Sequence, residues 1–575
     1  MARRRRRARD AGLCYECCKQ KPNSGRTVCV LCRSAKVASK RRSRQAKRVA
    51  SGNAKLVGAH ERAGDIANEH HFYEAAAQHY EDALQVSDAD ESAWMRLSEK
   101  LAEVLWLGNE PGTASTVNDR LLAAYRSRPE RSIEHAKTLL RVARQLWADS
   151  RTRDRIPVLN KTIRIAELSN DPKLLQEAHI RMASTFVLLA YVQEAKRHLR
   201  IVEQLYKIHS LDIELDYYRL KGALAAKLGR EKEAFANYNR VIEIAPTDPS
   251  YAGASWLEYG FMALRFGRTK LAKAHLEHGL LAARRSNIAW LIPRSCLAYA
   301  EFLIWLGEYT SAYEYLVEAL SSDAQTPILE EMIAYVGIPL ALHMKDEATL
   351  KKCMRTHVID RVFLSGEPAR IGYVATAFAQ LYVEQGQNIK AQNLLHRAVE
   401  AIHTAHDVWE FPLEIARNGA KEDLGKARRL LEERIALPSA RVAVAYLSLF
   451  DAFVAHREGR HTTAYSQARE AAVRFEGFQL SKYAELARSL LPVAEQRLSV
   501  LRIHHAQPFS EHAKFTKRER EVAILVLKGL TNRAIAAELS IAESTVESHM
   551  VSIMSRLGIR SRYQLVDIVA EVAHD

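Results

Sequence analysis

The chain has 575 residues, a formal net charge of +16 and a hydrophobic content of 48%. This length exceeds what one ordinary hydrophobic core organises, so several domains are expected. No run of about 18 consecutive apolar residues occurs, so neither a membrane-spanning helix nor a membrane partner is expected. Because no apolar stretch follows the N-terminal arginines, we also expect no signal peptide, and the cytoplasm is the expected compartment.

The segment 1–55 carries the whole excess of positive charge. It contains 18 Lys and Arg residues against two acids, a net charge of +16, and the rest of the chain has 66 basic and 66 acidic residues. A basic arm of this kind usually binds nucleic acid or another polyanion. The alternative is a solubilising or localisation tail.

Five of the seven cysteines cluster inside this arm. Cys14 and Cys17 form one Cys-x-x-Cys pair, Cys29 and Cys32 form a second, and Cys18 is a fifth thiol that could replace Cys17. Two such pairs joined by a short linker can surround one zinc ion tetrahedrally. The spacing therefore predicts a small structural zinc module at 1–55, whose folding energy would come from metal binding. The alternative is a thiol cluster without metal. The other two cysteines lie in helical-looking sequence, where core thiols are expected.

The segment 56–505 is helical in pattern, rich in Ala and Leu, with Pro and Gly mostly at joints. Small residues recur in pairs twelve positions apart, with glycines at the turns between them. Two helices can cross closely where neither side chain exceeds a methyl group, so the pattern predicts successive helical hairpins. The pairs are Gly64/Ala76, Ala183/Ala195, Gly222/Ala234, Gly260/Ala272, Ala300/Ala312, Ala379/Ala391 and Ala452/Ala464, and the turn glycines are Gly229, Gly267, Gly307, Gly386 and Gly459.

The stretch Tyr217–Pro246 resembles a tetratricopeptide repeat, and the remaining pairs resemble it more loosely. The resemblance implies an α-solenoid whose groove binds a protein, a peptide or a small effector. Between residues 100 and 175 the pattern predicts helices but no repeat. The alternative for the whole segment is a scaffold that separates the two ends of the chain.

No catalytic motif accompanies this segment. The sequence has no phosphate-binding loop, no glycine-rich dinucleotide motif, no HExxH and no GxSxG. We therefore do not expect an enzyme.

The C-terminal residues predict four short helices. Thr516 and Glu519 form a capping box before the first helix, which Gly529 ends. Thr531 caps the second helix, Asn532 to Leu539. The third runs from Glu543 to Leu557 and the fourth from Arg562 to Val572. One apolar stripe of the third helix is predicted to be buried: Val546, Met550, Ile553, Met554 and Leu557.

The motifs TKREREV, GLTNRAIAAEL, TVESH and LGIRSR in this segment resemble the LuxR/GerE-type helix-turn-helix. The resemblance implies a four-helix domain at 512–575 whose third helix enters the major groove of double-stranded DNA. It also implies a possible homodimer through the last helix. By position, the resemblance places Glu547, Ser548 and Val551 among base-reading side chains. It places five others near the DNA backbone: Arg533, Thr545, Arg556, Ser561 and Arg562. Ser552 is also predicted to contact DNA.

Two departures from the family pattern bear on DNA binding. Family members commonly have Ser at the position of Ala542. The missing helix cap costs about 1 kcal/mol unless Ser544 or Thr545 substitutes. They commonly have Lys at the position of Glu547, which can accept from cytosine N4 but repels phosphates. The segment 514–575 has nine basic and eight acidic side chains. This module is therefore expected to bind DNA weakly alone, with the arm supplying the phosphate contacts.

Together these features predict an all-α protein: a tetratricopeptide-like solenoid at 56–505, between the zinc module at 1–55 and the helix-turn-helix domain at 512–575. The expected function is a DNA-binding transcriptional regulator whose repeats sense a partner or effector. The alternative is a helical-repeat scaffold or adaptor with an RNA-binding zinc arm and a degenerate helix-turn-helix.

Overall fold

The computed structural model describes residues 53–491 and 516–557, apart from short gaps at 88–90, 109, 127, 129–131, 206–209, 245–248, 287, 324–325, 404–408 and 528–529. The predicted zinc ligands, the domain boundaries near 505 and 512, and the predicted fourth C-terminal helix lie outside the described residues.

All regular elements in the described ranges are helices, which confirms the all-α prediction. The first ten run in chain order as α1 Asn53–Glu69, α2 Tyr73–Val86, α3 Glu91–Leu107, α4 Pro111–Tyr125, α5 Ser132–Ala148, α6 Arg155–Leu168, α7 Pro172–Leu188, α8 Val192–Gln204, α9 Leu211–Lys227 and α10 Glu231–Ile244. A 3₁₀ helix at Thr152–Asp154 directly precedes α6.

The next fourteen helices complete the middle region. They are α11 Pro249–Arg265, α12 Thr269–Ser286, α13 Leu291–Leu306, α14 Tyr309–Leu320, α15 Pro327–Met344, α16 Glu347–Cys353, α17 His357–Ser365, α18 Pro368–Glu384, α19 Asn388–Ala401, α20 Glu410–Asn418, α21 Leu424–Ile435, α22 Arg441–Arg457, α23 His461–Gly477 and α24 Ser481–Arg488. A second 3₁₀ helix, Lys421–Asp423, precedes α21. The last three helices are α25 Lys517–Leu527, α26 Asn532–Leu539 and α27 Glu543–Leu557.

Successive helices pair into hairpins that cross at the predicted small residues. At the crossing of α9 and α10, a Cβ added to Gly222 would lie 2.7 Å from ring carbons of Tyr238. Gly64 has the same relation to Tyr80 at 2.6 Å. The alanine that follows each of these glycines by twelve residues is fully buried, as Ala234 is in α10. The tetratricopeptide-like arrangement is thereby confirmed for the described hairpins.

The region between residues 100 and 175 is also built of hairpins, although the sequence pattern predicted no repeat there. Ala102 in α3 and Ala114 in α4 stand twelve residues apart, and both are buried. In the next hairpin Ala143 in α5 is fully buried, but the residue twelve positions later is Arg155. An arginine at a position that is alanine in the other repeats hides the pattern.

The turns within the hairpins use a left-handed residue. The five predicted turn glycines all have φ between 70° and 79°. Gly366, which the pattern did not predict, has φ 72° between α17 and α18. Such φ values favour glycine, because an L side chain would clash with its own backbone. The two predicted core thiols, Cys296 and Cys353, are fully buried, as expected.

The chain divides into two compact units by its internal contacts. The first extends to Phe450 and regains Phe475–Lys482, and the second comprises Asp451–Arg474 and the chain from Tyr483 onward. Within the first unit, contacts far apart in sequence join distant hairpins. Thr152 donates to Glu367, a separation of 215 residues, and Thr269 donates to the carbonyl of Phe478, a separation of 209 residues. No helix among the described residues is both long and apolar enough to cross a membrane.

Candidate nucleic-acid interface

The last three helices share one small core. Val522 of α25, Ile535 of α26, and Val546 and Ile553 of α27 are all fully buried and pack together. The predicted stripe of α27 therefore faces this core through Val546, Met550 and Ile553, with Met554 partly buried at its edge. Burial of this stripe leaves the opposite side of α27 open.

The capping box at the start of α25 is formed as predicted. The backbone N–H of Thr516 donates to Glu519 Oε2 at 2.8 Å, and the N–H of Glu519 donates to Thr516 Oγ1 at 3.2 Å. Glu519 is only 4% exposed, and its other oxygen accepts from the hydroxyl of Ser552 at 2.5 Å. One carboxylate thus caps α25 and ties it to the middle of α27, a link that no local sequence signal revealed.

Hydrogen bonds fix both ends of α26 and the turn that joins it to α27. Thr531 accepts from the N–H of Ala534 at 3.3 Å and caps α26, as predicted. Ser540 ends α26 in the left-handed conformation, with φ 52°. Arg518 donates to the carbonyl of Leu539 at 3.2 Å and so satisfies one of the last carbonyls of α26. Three residues therefore separate α26 from α27, the spacing of a helix-turn-helix.

The outer side of α27 presents short and apolar side chains around one acid. Glu547 and Ser548 are exposed, and Val551 is 63% exposed although it is apolar. The Ser548 hydroxyl donates to the carbonyl of Ser544 in its own helix at 3.0 Å. Glu547 forms no ion pair with any other residue in the described ranges. This side is accordingly open to a partner, with one uncompensated negative charge near its centre.

The remaining predicted DNA contacts fall in several environments. Arg533 and Thr545 are exposed. Ser552 is half-buried, and its hydroxyl is engaged with Glu519 rather than directed outward. The side chain of Arg556, and all of Ser561 and Arg562, lie outside the described residues. The structure therefore brings Glu547, Ser548 and Val551 to one side of α27, with Thr545 exposed in its first turn.

The start of α27 lacks a side-chain cap, as the alanine at 542 predicts. Ala542 offers its backbone carbonyl to the N–H groups of Thr545 at 3.0 Å and Val546 at 3.2 Å. Its methyl group cannot accept from the first N–H groups of the helix, which stay available to another acceptor. Free N–H groups at a helix start attract anions.

The predicted metal ligands Cys14, Cys17, Cys29 and Cys32 lie outside the described residues. Within the part of the chain that the structure describes, two groups of three potential metal-ligating side chains come together. One is buried between α1 and α2 and comprises His60, His79 and Asp82, whose potential ligand atoms lie within 4.8 Å of one another. In it His60 Nδ1 stands 3.7 Å from Asp82 Oδ2. The other, His396 with Glu400 and Asp423, is largely exposed.

Comparison with known proteins identifies relatives of the C-terminal module. Residues 513–569 match the family model described as "Bacterial regulatory proteins, luxR family". The chain is 43% identical over 58 residues to the spore germination protein GerE of Bacillus subtilis (strain 168), which covers 10% of this chain and 78% of GerE. It is 40% identical over 72 residues to the transcriptional regulatory protein LiaR of the same organism, which covers 12% of this chain and 34% of LiaR. This chain therefore spans about a third of LiaR.

Solved structures similar to the middle region share little sequence with it. The apo form of RapI is 18% identical, and the match covers 46% of this chain and 97% of RapI with a TM-score of 0.38. The apo form of the quorum sensor NprR from B. thuringiensis is 13% identical, with 62% of this chain covered, 99% of NprR covered and a TM-score of 0.32. These scores are too low to support conclusions about ligands.

Proposed function

Because the chain belongs to the LuxR family of bacterial regulatory proteins, we propose that it is a transcriptional regulator that reads double-stranded DNA with α27. The observation that carries this proposal is the open side of α27. The buried stripe of α27 packs against α25 and α26. On the other side of the helix, Glu547, Ser548 and Val551 are therefore free to contact base edges. A helix of this diameter fits the major groove, where each base pair presents a distinct pattern.

Each of the three side chains has a chemically matched partner in the major groove. The carboxylate of Glu547 accepts from cytosine N4, the hydroxyl of Ser548 exchanges hydrogen bonds with several bases, and Val551 contacts the methyl group of thymine. Arg533 and Thr545 then hold the phosphates that flank the groove. We leave Ser552 out of the base-reading set, because its hydroxyl already serves Glu519.

The zinc module at 1–55, the dimer through the last helix and the sensing role of the repeats complete the proposal. The arm supplies phosphate contacts that the nearly neutral C-terminal module lacks. The repeats bind a protein, a peptide or a small effector and shift the fraction of molecules able to bind DNA. Zinc analysis of the reduced intact protein tests the module, with Cys14→Ser and Cys29→Ser as the variants that should lose the metal.

The test of DNA reading is selection of binding sites from random duplex DNA by the intact protein, Glu547→Lys and Ser548→Ala. Both variants should prefer different bases from the wild type, since each good base contact contributes about 1–3 kcal/mol of discrimination. Glu547→Lys should also bind all sequences more tightly, because it removes a negative charge and adds a positive one.

A matched control is Glu538→Lys, which makes the same change of charge at an exposed position of α26. It should tighten binding without changing the preferred bases. If all four proteins select one site, α27 does not read bases. If none selects any site, the chain is a scaffold or adaptor with a degenerate helix-turn-helix.

A further inference from the structure

The third hairpin departs from the rule that the other repeats follow. Where the second helix crosses the first, the repeats place a buried alanine, such as Ala195 in α8 and Ala234 in α10. The equivalent residue of the α5–α6 hairpin is Arg155, which is nonetheless only 4% exposed. Burying a guanidinium where a methyl group suffices costs free energy, and natural chains accept such costs chiefly at functional sites.

Arg155 has no counter-ion of its own. Within the described ranges its side chain makes no ion pair and no hydrogen bond, and its buried Nε has no acceptor. Burial, together with the positive charges of Arg181, Arg370 and Arg219, lowers the pKa of Arg155 to about 9, against an opposing effect of Glu367. A buried cation without a partner is expected to neutralise or to acquire an anion.

Four further arginines come from neighbouring hairpins of the first unit. Arg181 of α7 and Arg219 of α9 both bind Asp216, at 3.0 and 2.9 Å, and Arg219 also binds Glu258 of α11 at 2.8 Å. We call Arg181, Arg219, Arg294 and Arg370 the arginine row. Its members lie on α7, α9, α13 and α18, and all four are partly exposed.

The last member of the row in the sequence, Arg370, is linked to the segment before Arg155 by long-range contacts of the first unit. Arg370 at the start of α18 binds Glu367 at 2.9 Å and Glu331 at 3.3 Å, and it donates to Ser150 at 2.6 Å. Glu367 accepts from Thr152, three residues before Arg155. The turn that leads into α6 is therefore bound to the same carboxylate and guanidinium that close the row.

Two of the five guanidinium groups in this cluster, those of Arg155 and Arg294, have no carboxylate partner among the described residues. The other three pair with five carboxylates: Glu177, Asp216, Glu258, Glu331 and Glu367. Arg294 has no carboxylate partner within the described ranges, and its guanidinium lies 5.7 Å from the ring centre of Trp147.

Negative charge is also reduced at Glu331. Burial raises the pKa of Glu331, which reduces its share of negative charge. Arg361, which also lies 3.8 Å from Glu331, is bound more closely to Glu330 at 2.6 Å. Arg155 and Arg294 thus stay without a counter-ion, and Arg155 is buried as well.

We propose that Arg155 and the arginine row bind a small phosphate-bearing molecule inside the first unit. A phosphate monoester carries about 1.5–2 negative charges and three acceptor oxygens, which matches two unpaired guanidinium groups and the donors of their neighbours. This inference rests on the proposed sensing role of the repeats and names the chemical class of the effector.

The experiment is thermal unfolding and calorimetric titration of the intact protein with inorganic phosphate and with pyrophosphate, at constant ionic strength. Arg155→Met keeps the length of the side chain and removes its charge. Arg164→Met, on the exposed side of the same helix α6, is the matched control. Phosphate should raise the melting temperature of the wild type and of Arg164→Met, while Arg155→Met should bind at least about tenfold more weakly.

Stability without phosphate separates a ligand site from a structural arginine. Arg155→Met should then be at least as stable as the wild type, because it removes a buried charge that has no partner. The proposal is overturned if Arg155→Met is less stable than the wild type in phosphate-free buffer, or if it responds to phosphate as the wild type does. In the second case the basic arm, intact in both proteins, is the phosphate binder.

Two further measurements fix the ligand class and isolate this proposal. Succinate, a dianion without phosphorus, should give no shift in melting temperature, and a response to succinate alone overturns the phosphate assignment. Binding of wild-type protein to selected DNA is measured separately. If the protein does not bind DNA but responds to phosphate, the proposed function is refuted and the phosphate site is supported. If it binds DNA but does not respond to phosphate, only the phosphate site is refuted.

Discussion

The exposed side of α27 and the interior of the first unit place their charges in opposite ways. α27, the helix that resembles a DNA reader, exposes an acid at Glu547 and an apolar Val551. The first unit, which resembles a scaffold, holds Arg155 in a buried position and the arginine row in partly exposed ones. Cations that bind a polyanion at the protein surface must be exposed. A buried cation can bind only a ligand that enters the protein interior.

This difference separates two tasks that one basic surface could otherwise perform. Affinity for DNA phosphates depends on exposed charge and weakens as salt is added. Recognition of a small anion depends on buried guanidinium groups, whose geometry selects the ligand and which salt screens less. Under the proposed function, α27 contributes base preference, and the charge needed for general affinity comes from the basic arm.

Removal of the arm, residues 1–55, should have the largest effect on this comparison. Each DNA phosphate that the arm neutralises steepens the slope of log K against log salt by about 0.9, so an arm that binds roughly four to eight phosphates contributes several units. A salt titration of DNA binding by the intact protein and by the chain starting at Leu56 measures the slope, which should be flatter in the shorter chain. The preferred base sequence should not change, because phosphate contacts carry no sequence information.

The double variant Cys14→Ser with Cys29→Ser is the control for arm removal, since it keeps every Lys and Arg of the arm. It should retain most of the salt slope if charge, rather than the folded zinc module, supplies the affinity. An unchanged slope in the truncated chain would assign the arm to RNA or to a protein partner.

Glu519→Ala should uncouple α25 from α27. The change removes the cap on Thr516 and the acceptor of the Ser552 hydroxyl, at a cost of about 2–3 kcal/mol. DNA binding should fall as the module loosens, and circular dichroism with chemical denaturation should show an earlier transition for the C-terminal helices. Ser548→Ala, whose hydroxyl bonds only its own helix, should shift that transition by less than about 0.5 kcal/mol.

Gly222→Ala should destabilise the first unit while leaving α27 intact. The added Cβ would lie 2.7 Å from the Tyr238 ring, so the α9–α10 hairpin must open, at a cost of about 1–3 kcal/mol. Gly112→Ala in α4 adds the same methyl group where no atom lies within 4 Å, and it should be neutral or slightly stabilising. The denaturant concentration at the unfolding midpoint should be lower for Gly222→Ala than for Gly112→Ala. Equal midpoints would show that the helix crossing at Gly222 is not close-packed.

Glu301→Gln should remove a pH dependence from the first unit. Burial raises the pKa of Glu301 to about 8, chiefly because the charged form loses its hydration, with Glu410 adding to the effect. The folded state then binds a proton that the unfolded chain releases near its ordinary pKa of 4.5. Stability from this group is complete below pH 4.5 and is lost as the pH rises towards 8, by at most about 1.4 kcal/mol per unit.

Melting temperatures at pH 5 and pH 8 test this effect. The fall between the two should be smaller in Glu301→Gln than in the wild type. The control Glu314→Gln changes an exposed carboxylate on α14, the other helix of the same hairpin, and should keep the wild-type difference. Identical falls in all three proteins would mean that Glu301 is hydrated in the folded state.

Local pattern was enough to predict much of this fold. The bounds of α26 and α27 agree with those predicted from caps and periodicity, and Thr516 with Glu519 forms the predicted capping box. The hairpins follow from pairs of small residues twelve positions apart, because close crossing of helices requires a fixed register. These features depend on neighbours within one or two helical turns, or within one hairpin, and so are visible in a single sequence.

Partners that lie far apart in sequence could not be predicted in the same way. Ser552 is one residue before the buried Ile553, and nothing local shows that its hydroxyl meets Glu519, 33 residues earlier. Arg155 concealed its own hairpin, because a search for small residues rejects an arginine. The segment just before it is bonded to Glu367 and Arg370, more than two hundred residues later, which only the folded chain brings near.

The contacts between distant hairpins in the first unit change how that unit should fold. In a simple solenoid each repeat touches only its neighbours, so folding can begin anywhere and spread, and terminal repeats can be removed one at a time. Here bonds that span 209, 215 and 220 residues join hairpins five or more apart. They raise the contact order and make early repeats depend on late ones. The unit should therefore fold slowly and cooperatively, and removing whole repeats from one end should weaken hairpins far from the cut.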